Sequence, residues 1–174
     1  MTAGFPYHLP TEHGATWWFL DTLMTIKAGG GATNGAFTLI EFVAPEGFAP
    51  PLHIHESEDE AFYVLEGEVD VMCGEERWSA VGGSFVFLPR GVAHSFRVNG
   101  GRLLALQLTV PSGFEAFVEE LGRRPDHPGL PDPSEPDVTQ IVEMSARHGY
   151  RILGPSPLVG TATGDASEDA VHRP

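Results

Sequence analysis

Three histidines and one glutamate are the residues of this sequence best spaced for chemistry. His53 and His55 flank Ile54, Glu60 follows five residues after His55, and His94 comes from a separate stretch of chain. Residues at i and i+2 share a face only on extended backbone, so His53 and His55 act together only if their segment is a strand. Glu60 lies past the short bend Glu56-Ser57-Glu58-Asp59 and can return to the same face, while His94 would close the set from a distant strand. Three neutral imidazoles and a carboxylate suit a divalent transition ion, whether Fe, Mn, Co, Ni or Zn, and this donor set does not choose among them. On an octahedral ion they leave two positions open for water, substrate or oxygen. A structural zinc would instead be closed and four-coordinate. Glu58 and Asp59 compete with Glu60 as the carboxylate donor, and Glu58 reads as a solvated loop residue. His8, His13, His127, His148 and His172 stand in no such spacing.

Strands must position these groups, and the sequence supplies them first and helices last. Apolar, turn-punctuated stretches at residues 17–20, 23–27, 37–44, 61–65, 69–73, 84–88, 94–98 and 103–110 have the rhythm of a sandwich or barrel. Gly29-Gly30-Gly31 reads as a flexible turn, Leu65-Glu66-Gly67-Glu68 as hairpin-like, and Pro89-Arg90-Gly91 as the turn that delivers His94. Ser112 with Glu115 forms a capping-box pattern ahead of a helix whose apolar face is Phe114, Phe117, Val118 and Leu121, with Gly122 as its stop. Asp137 with Gln140 repeats the pattern, and Val138, Ile141 and Val142 supply a second apolar face. The expected fold is all-β, a jelly-roll barrel or sandwich with short C-terminal helices. Residues 1–16 are an N-terminal extension, 17–110 the barrel, 111–159 a helical and loop segment packed on it, and 160–174 a polar tail. No internal repeat is present.

Strand parity predicts the surroundings of the ion. If Glu60 points inward, so do Phe62 and Val64; if His94 does, so do Phe96 and Val98. Phe62 and Phe96 are therefore the expected substrate-binding residues of an apolar pocket suited to a flat aromatic ligand.

Composition narrows the partners. The 174 residues suffice for one substantial core. Ten Lys+Arg against 24 Asp+Glu give a net charge of −14, which disfavours nucleic acid and anionic membranes and favours a small-molecule ligand. No apolar run has the length of a membrane span, the first residues lack a signal-peptide pattern, and the single cysteine, Cys73, rules out an internal disulfide. A cytoplasmic protein is the expectation.

The chain resembles the cupins. Residues 47–67 fit their first motif, G-x5-H-x-H-x4-E-x6-G, and residues 83–94 their second, G-x5-P-x-G-x2-H, both without a gap. The asparagine that often follows the second motif is displaced: Val98 holds its place and Asn99 comes one later. The segments Leu23-Met24-Thr25-Ile26-Lys27-Ala28-Gly29-Gly30 and Pro111-Ser112-Gly113-Phe114-Glu115-Ala116-Phe117, with Glu120-Leu121-Gly122, are further similar to bacterial single-domain quercetin 2,3-dioxygenases. The resemblance implies a metal held by His53, His55, Glu60 and His94. It also implies a dioxygenase that opens a flavonol or related enol with O2, with Glu60 as both ligand and general base. Redox-neutral isomerase or polyketide cyclase chemistry, or non-catalytic binding of a small molecule, are the rival readings. It also implies a homodimer, with the Trp17-Trp18 strand as the expected contact.

Overall fold

The computed structural model describes residues 5–11 and 13–160. Its strands form because apolar side chains recur at every second position, which buries one face of a pleated chain. Thr38–Ala44 is representative: Thr38, Ile40, Phe42 and Ala44 are buried, and the residues between them are half-buried on the outer face. The elements in chain order are β1 (Ala15–Phe19), β2 (Thr22–Ala28), α1 (Gly30–Thr33), β3 (Thr38–Ala44), β4 (Leu52–His55), β5 (Asp59–Cys73), β6 (Glu76–Val81), β7 (Phe85–Leu88), β8 (His94–Val110), α2 (Phe114–Leu121), α3 (Val138–Arg147) and β9 (Tyr150–Gly154).

All pairings are antiparallel, and two long strands serve both halves of a curled sheet. The first half of β5 and the second half of β8 pair with each other, flanked by β7 on one side and by β3, β2 and β1 on the other. The second half of β5 and the first half of β8 pair again, flanked by β6 and by β4 with β9. The result is an all-β jelly roll whose two layers enclose one core, with Phe42, Val64, Leu88, Val98 and Leu103 at most 2% exposed. Within it Phe42, Phe62 and Phe96 meet with ring centroids 5.3–6.2 Å apart, contacts worth about 0.5–1.5 kcal/mol each beyond the area they bury.

Several local expectations change. Residues 65–68 are not a hairpin: β5 runs straight through them, and the pairing register shifts at Val64/Glu66 and Glu66/Glu68. Gly67 permits this, with φ of 93° and so close an approach to β8 that a Cβ would collide with the Arg102 carbonyl. The stretches expected at 94–98 and 103–110 likewise form one strand through Gly100 and Gly101. The glycines at 29–31 open the short helix α1 rather than a free turn. β6 and β9 had no counterpart among the expected strands.

The helices follow their caps unevenly. Asp137 caps α3 by accepting from the Gln140 N–H at 3.0 Å. At α2 the N-cap is Gly113, and Ser112 takes no capping bond. Glu115 instead accepts from the Gly30 and Gly113 N–H groups and from the Thr38 hydroxyl, tying α2 to α1 and β3. Phe114, Phe117 and Val118 are buried, and Leu121 packs beside them. On α3 the inward face is Met144 and Ser145, with Ile141 half-buried; Val138 and Val142 are 64% and 42% exposed, so the expected apolar face is rotated. The Trp17-Trp18 strand is covered by its own chain. Trp18 donates its indole N–H to the Gly129 carbonyl at 2.7 Å and lies under the Arg123 guanidinium, and Arg124 covers Trp17. The tail expected beyond Gly160 lies outside the described residues.

Candidate metal centre

The two layers bring the four spaced residues together. His53 and His94 are direct cross-strand neighbours on β4 and β8, and His55 follows two residues along β4. Glu60 enters from β5 in the opposite layer, in register with Leu88 and Thr109. One ligand atom from each of the four lies within 4.8 Å of the others. The turn after β7 sets the position of His94: the Gly91 N–H donates to the His55 carbonyl at 2.8 Å.

Hydrogen bonds at the outer ring nitrogens aim the imidazoles. Nδ1 of His53 lies 2.7 Å from the Pro51 carbonyl and Nδ1 of His94 lies 2.9 Å from that of Val92, which leaves both Nε2 atoms for the centre. Nε2 of His55 and His94 stand 3.8 and 3.2 Å from Glu60 Oε2. The His94 Nε2 is buried with no hydrogen bond of proper geometry. A buried, unpartnered imidazole nitrogen facing a carboxylate is the arrangement an ion would satisfy, and the donor set fits a divalent transition metal.

The competing carboxylates have other tasks. Asp59 turns away to form a two-pronged pair with Arg90, Oδ2 to Nη2 at 2.7 Å and Oδ1 to Nε at 3.0 Å, and this guanidinium holds the Asp59 carboxyl down at about 2. Glu58 is not a solvated loop residue: it is 4% exposed. It accepts the Tyr150 hydroxyl at 2.5 Å, and its Oε2 lies 3.9 Å from His55 Nδ1. Sequence reasoning also missed Gln107, whose Nε2 donates to Glu60 Oε1. Its signal was available, because Leu103, Ala105, Gln107 and Thr109 are the inward positions of one strand, and an amide there is out of pattern. Tyr150 carried no such signal, since nothing in residues 150–154 marks them as a strand added beside β4.

The electrostatics favour the metal-ready form at His53, His55 and Glu60. Burial, helped by the neighbouring His94 and His55, lowers His53 to about 3, and burial lowers His55 as well. Both rings are neutral at physiological pH with their lone pairs available. Burial pushes Glu60 up, but its interactions with the neighbouring His55 and His94 outweigh it and hold the carboxyl at about 2. Burial opposes charge on His94, and the adjacent Glu60 carboxylate outweighs that and raises it.

A cavity of about 70 Å³ adjoins the cluster, several times the roughly 10–15 Å³ that one water needs. Its walls are apolar: Phe42, Phe48, Phe62 and Phe96 from the barrel, Phe114 and Phe117 from α2. Phe62 and Phe96, 5% and 7% exposed, line it beside Glu60. Ile141, Ser145, Tyr150 and Ile152 close one side from the C-terminal segment, and the Tyr150 ring packs on His55 at 4.6 Å.

Comparison with known proteins agrees with this fold. Residues 39–110 match the family model of the cupin domain. Quercetin 2,3-dioxygenase of Bacillus subtilis (strain 168) is 26% identical over 134 residues, which are 77% of this chain and 40% of that relative. The chain therefore spans less than half the length of this relative. Among solved structures, KdgF from Halomonas sp. superposes with a TM-score of 0.56 at 18% identity, over 64% of this chain and 98% of its own. The cupin domain of Schizosaccharomyces pombe Cnp3 gives 0.51 at 16% identity, over 70% and 84%. Both show the fold. Among the described residues no helix is long and apolar enough to cross a membrane. With its jelly-roll barrel, its two gapless motifs and this match over residues 39–110, the chain carries a cupin domain.

Proposed function

We propose that this cupin is a metal-dependent, quercetinase-like dioxygenase acting on a flavonol or related enol. The observation that carries the reading is the convergence of His53, His55, His94 and Glu60 at the wall of an apolar, aromatic cavity; the likeness to a quercetin 2,3-dioxygenase supports it. When bound, a divalent ion supplies Lewis acidity and draws substrate and O2 together. The chain's residues do the rest. The three imidazoles hold the ion, and Phe62 and Phe96 grip a flat ring and exclude water. Glu60, ionised at neutral pH, receives the proton of the incoming hydroxyl.

Oxygen uptake on adding quercetin to protein reconstituted in turn with Fe(II), Co(II), Ni(II) and Mn(II) tests the proposal. Uptake that is lost in Glu60→Gln supports it. Fully loaded protein that consumes no oxygen with any of these ions refutes it, and turnover without oxygen would favour the redox-neutral isomerase or cyclase reading.

The same proposal includes a homodimer, at a face other than the Trp17-Trp18 strand. Tyr63, Leu65, Val81, Phe85 and Phe87 are 40–65% exposed; Phe85 of β7 pairs with Tyr63 of β5, and among the described residues β7 pairs with β5 alone. Five such side chains present roughly 500 Å² per protomer, so two copies bury about 1,000 Å², the lower bound for a specific interface. Light scattering should report a dimer that Phe85→Glu with Phe87→Glu converts to monomer; a wild-type monomer at every concentration refutes it.

A further inference from the structure

The two oxygens of Glu60 face different partners. Oε2 looks toward His94 and His55, at 3.2 and 3.8 Å, and Oε1 accepts the side-chain amide of Gln107. Gln107 is 3% exposed and sits in the middle of its layer, on β8 between Ile40 of β3 and Phe62 of β5. The orientation of its amide is chemically determined, because an ionised carboxylate only accepts and the NH2 must face it. That choice leaves the amide oxygen buried with no hydrogen-bond partner. A leucine or methionine would fill the space without this penalty, so packing does not account for the residue. Its bond to Glu60 does.

We propose that Gln107 is a positioning residue that fixes Glu60 as a one-oxygen donor to the ion. By engaging Oε1 it presents Oε2 alone beside the three imidazoles, and so keeps two positions of an octahedral ion open for ligand. A carboxylate's terminal torsion is broad and roughly two-fold. Without the Gln107 bond Glu60 is free to offer both oxygens, closing one open position, or to swing off. This inference rests on the metal reading above, and the experiment separates the two.

Wild type, Gln107→Met and Thr109→Val are loaded with Co(II) and read by visible absorption and by competition with a chromophoric chelator. Met keeps the length of the side chain and removes the donor. Thr109, in register with Glu60, carries a buried hydroxyl that bonds nothing, so its loss is a control for disturbing the same strand. Gln107→Met is expected to shift the Co(II) bands and to weaken binding by about ten- to a hundredfold, while Thr109→Val keeps the wild-type spectrum and affinity. Should Gln107→Met fail to fold, the wild-type protein still gives a reading. Side-chain amide protons of Gln107 should exchange with D2O far more slowly than those of the exposed Gln140. A folded Gln107→Met with wild-type spectrum and affinity overturns the proposal, as does exchange as fast as that of Gln140. Wild-type protein that binds no Co(II) overturns the metal reading and this inference with it.

Discussion

Tyr150→Phe removes one hydroxyl from the interior, and its cost should depend on pH. The hydroxyl donates to Glu58 at 2.5 Å, and both residues are 4% exposed. Burial and the nearby carboxylates push the phenol upward, so it stays a donor throughout. Burial raises Glu58 from 4.5 to about 7, with the Tyr150 bond pulling the other way. A folded-state value above the unfolded one means that the folded protein retains a proton the unfolded chain has released. Wild-type stability therefore falls as pH rises from 4.5 through about 7. The Tyr150 bond limits that fall because it favours the ionised carboxylate. Above the Glu58 titration the bond is charge-assisted and worth about 1.5–3 kcal/mol; below it, a neutral pair is worth about 0.5–1.5 kcal/mol. At about 2–4 °C per kcal/mol for a chain of this size, Tyr150→Phe should lower Tm by about 3–12 °C near pH 8 and by about 1–6 °C near pH 5.5, always more at the higher pH. Calorimetry on chelator-treated protein at the two pH values measures it. Equal losses at both, or a larger one in acid, would refute the reasoning, and a Glu58→Gln background should abolish the pH dependence.

Three further outcomes are expected. His94→Ala should reduce bound metal below one ion per chain by elemental analysis; an unchanged stoichiometry would remove His94 from the ligand set. Phe96→Ala, which empties the centre of the Phe42, Phe48 and Phe62 contacts, should cost about 3–5 kcal/mol in urea unfolding, and a loss under about 1 kcal/mol would mean that the site collapses to fill the space. Glu115 is opposed by burial but held down by the bonds from Thr38, Gly30 and Gly113, so its contribution is present above the ordinary carboxylate range and lost as pH falls through its folded value. Glu115→Gln should therefore be less stable than wild type at neutral pH and converge with it in acid; a gap that stays constant would show that its charge is irrelevant.

The centre was legible where a side chain's direction follows from local parity. His53 and His55 share a face on any strand, and once Glu60 and His94 point inward, Phe62 and Phe96 must as well. What stayed hidden depends on contacts between residues far apart in the chain. Glu58 looks solvated beside Glu56 and Asp59, and only the arrival of Tyr150, 92 residues later, gives a buried carboxylate a partner. The continuity of β5 through Gly67 was likewise invisible, because a glycine at positive φ serves a reversal and a bulge equally well. The α3 face was misjudged for a related reason: Ile141 and Ser145 face the cavity because α3 leads into β9, whose place beside β4 no periodicity announces.

The order in which the wall of this cavity is made has a consequence for the nascent chain. All four candidate ligand residues lie at or before position 94, whereas Ile141, Ser145, Tyr150 and Ile152 close one side of the cavity from well downstream. At ribosomal rates of about 5–20 residues per second, Tyr150 is added roughly 3–11 s after His94. For that interval the growing polypeptide carries the full donor set without its C-terminal cover. A chain ending before α3 would therefore keep every donor residue and leave that side of the cavity unwalled.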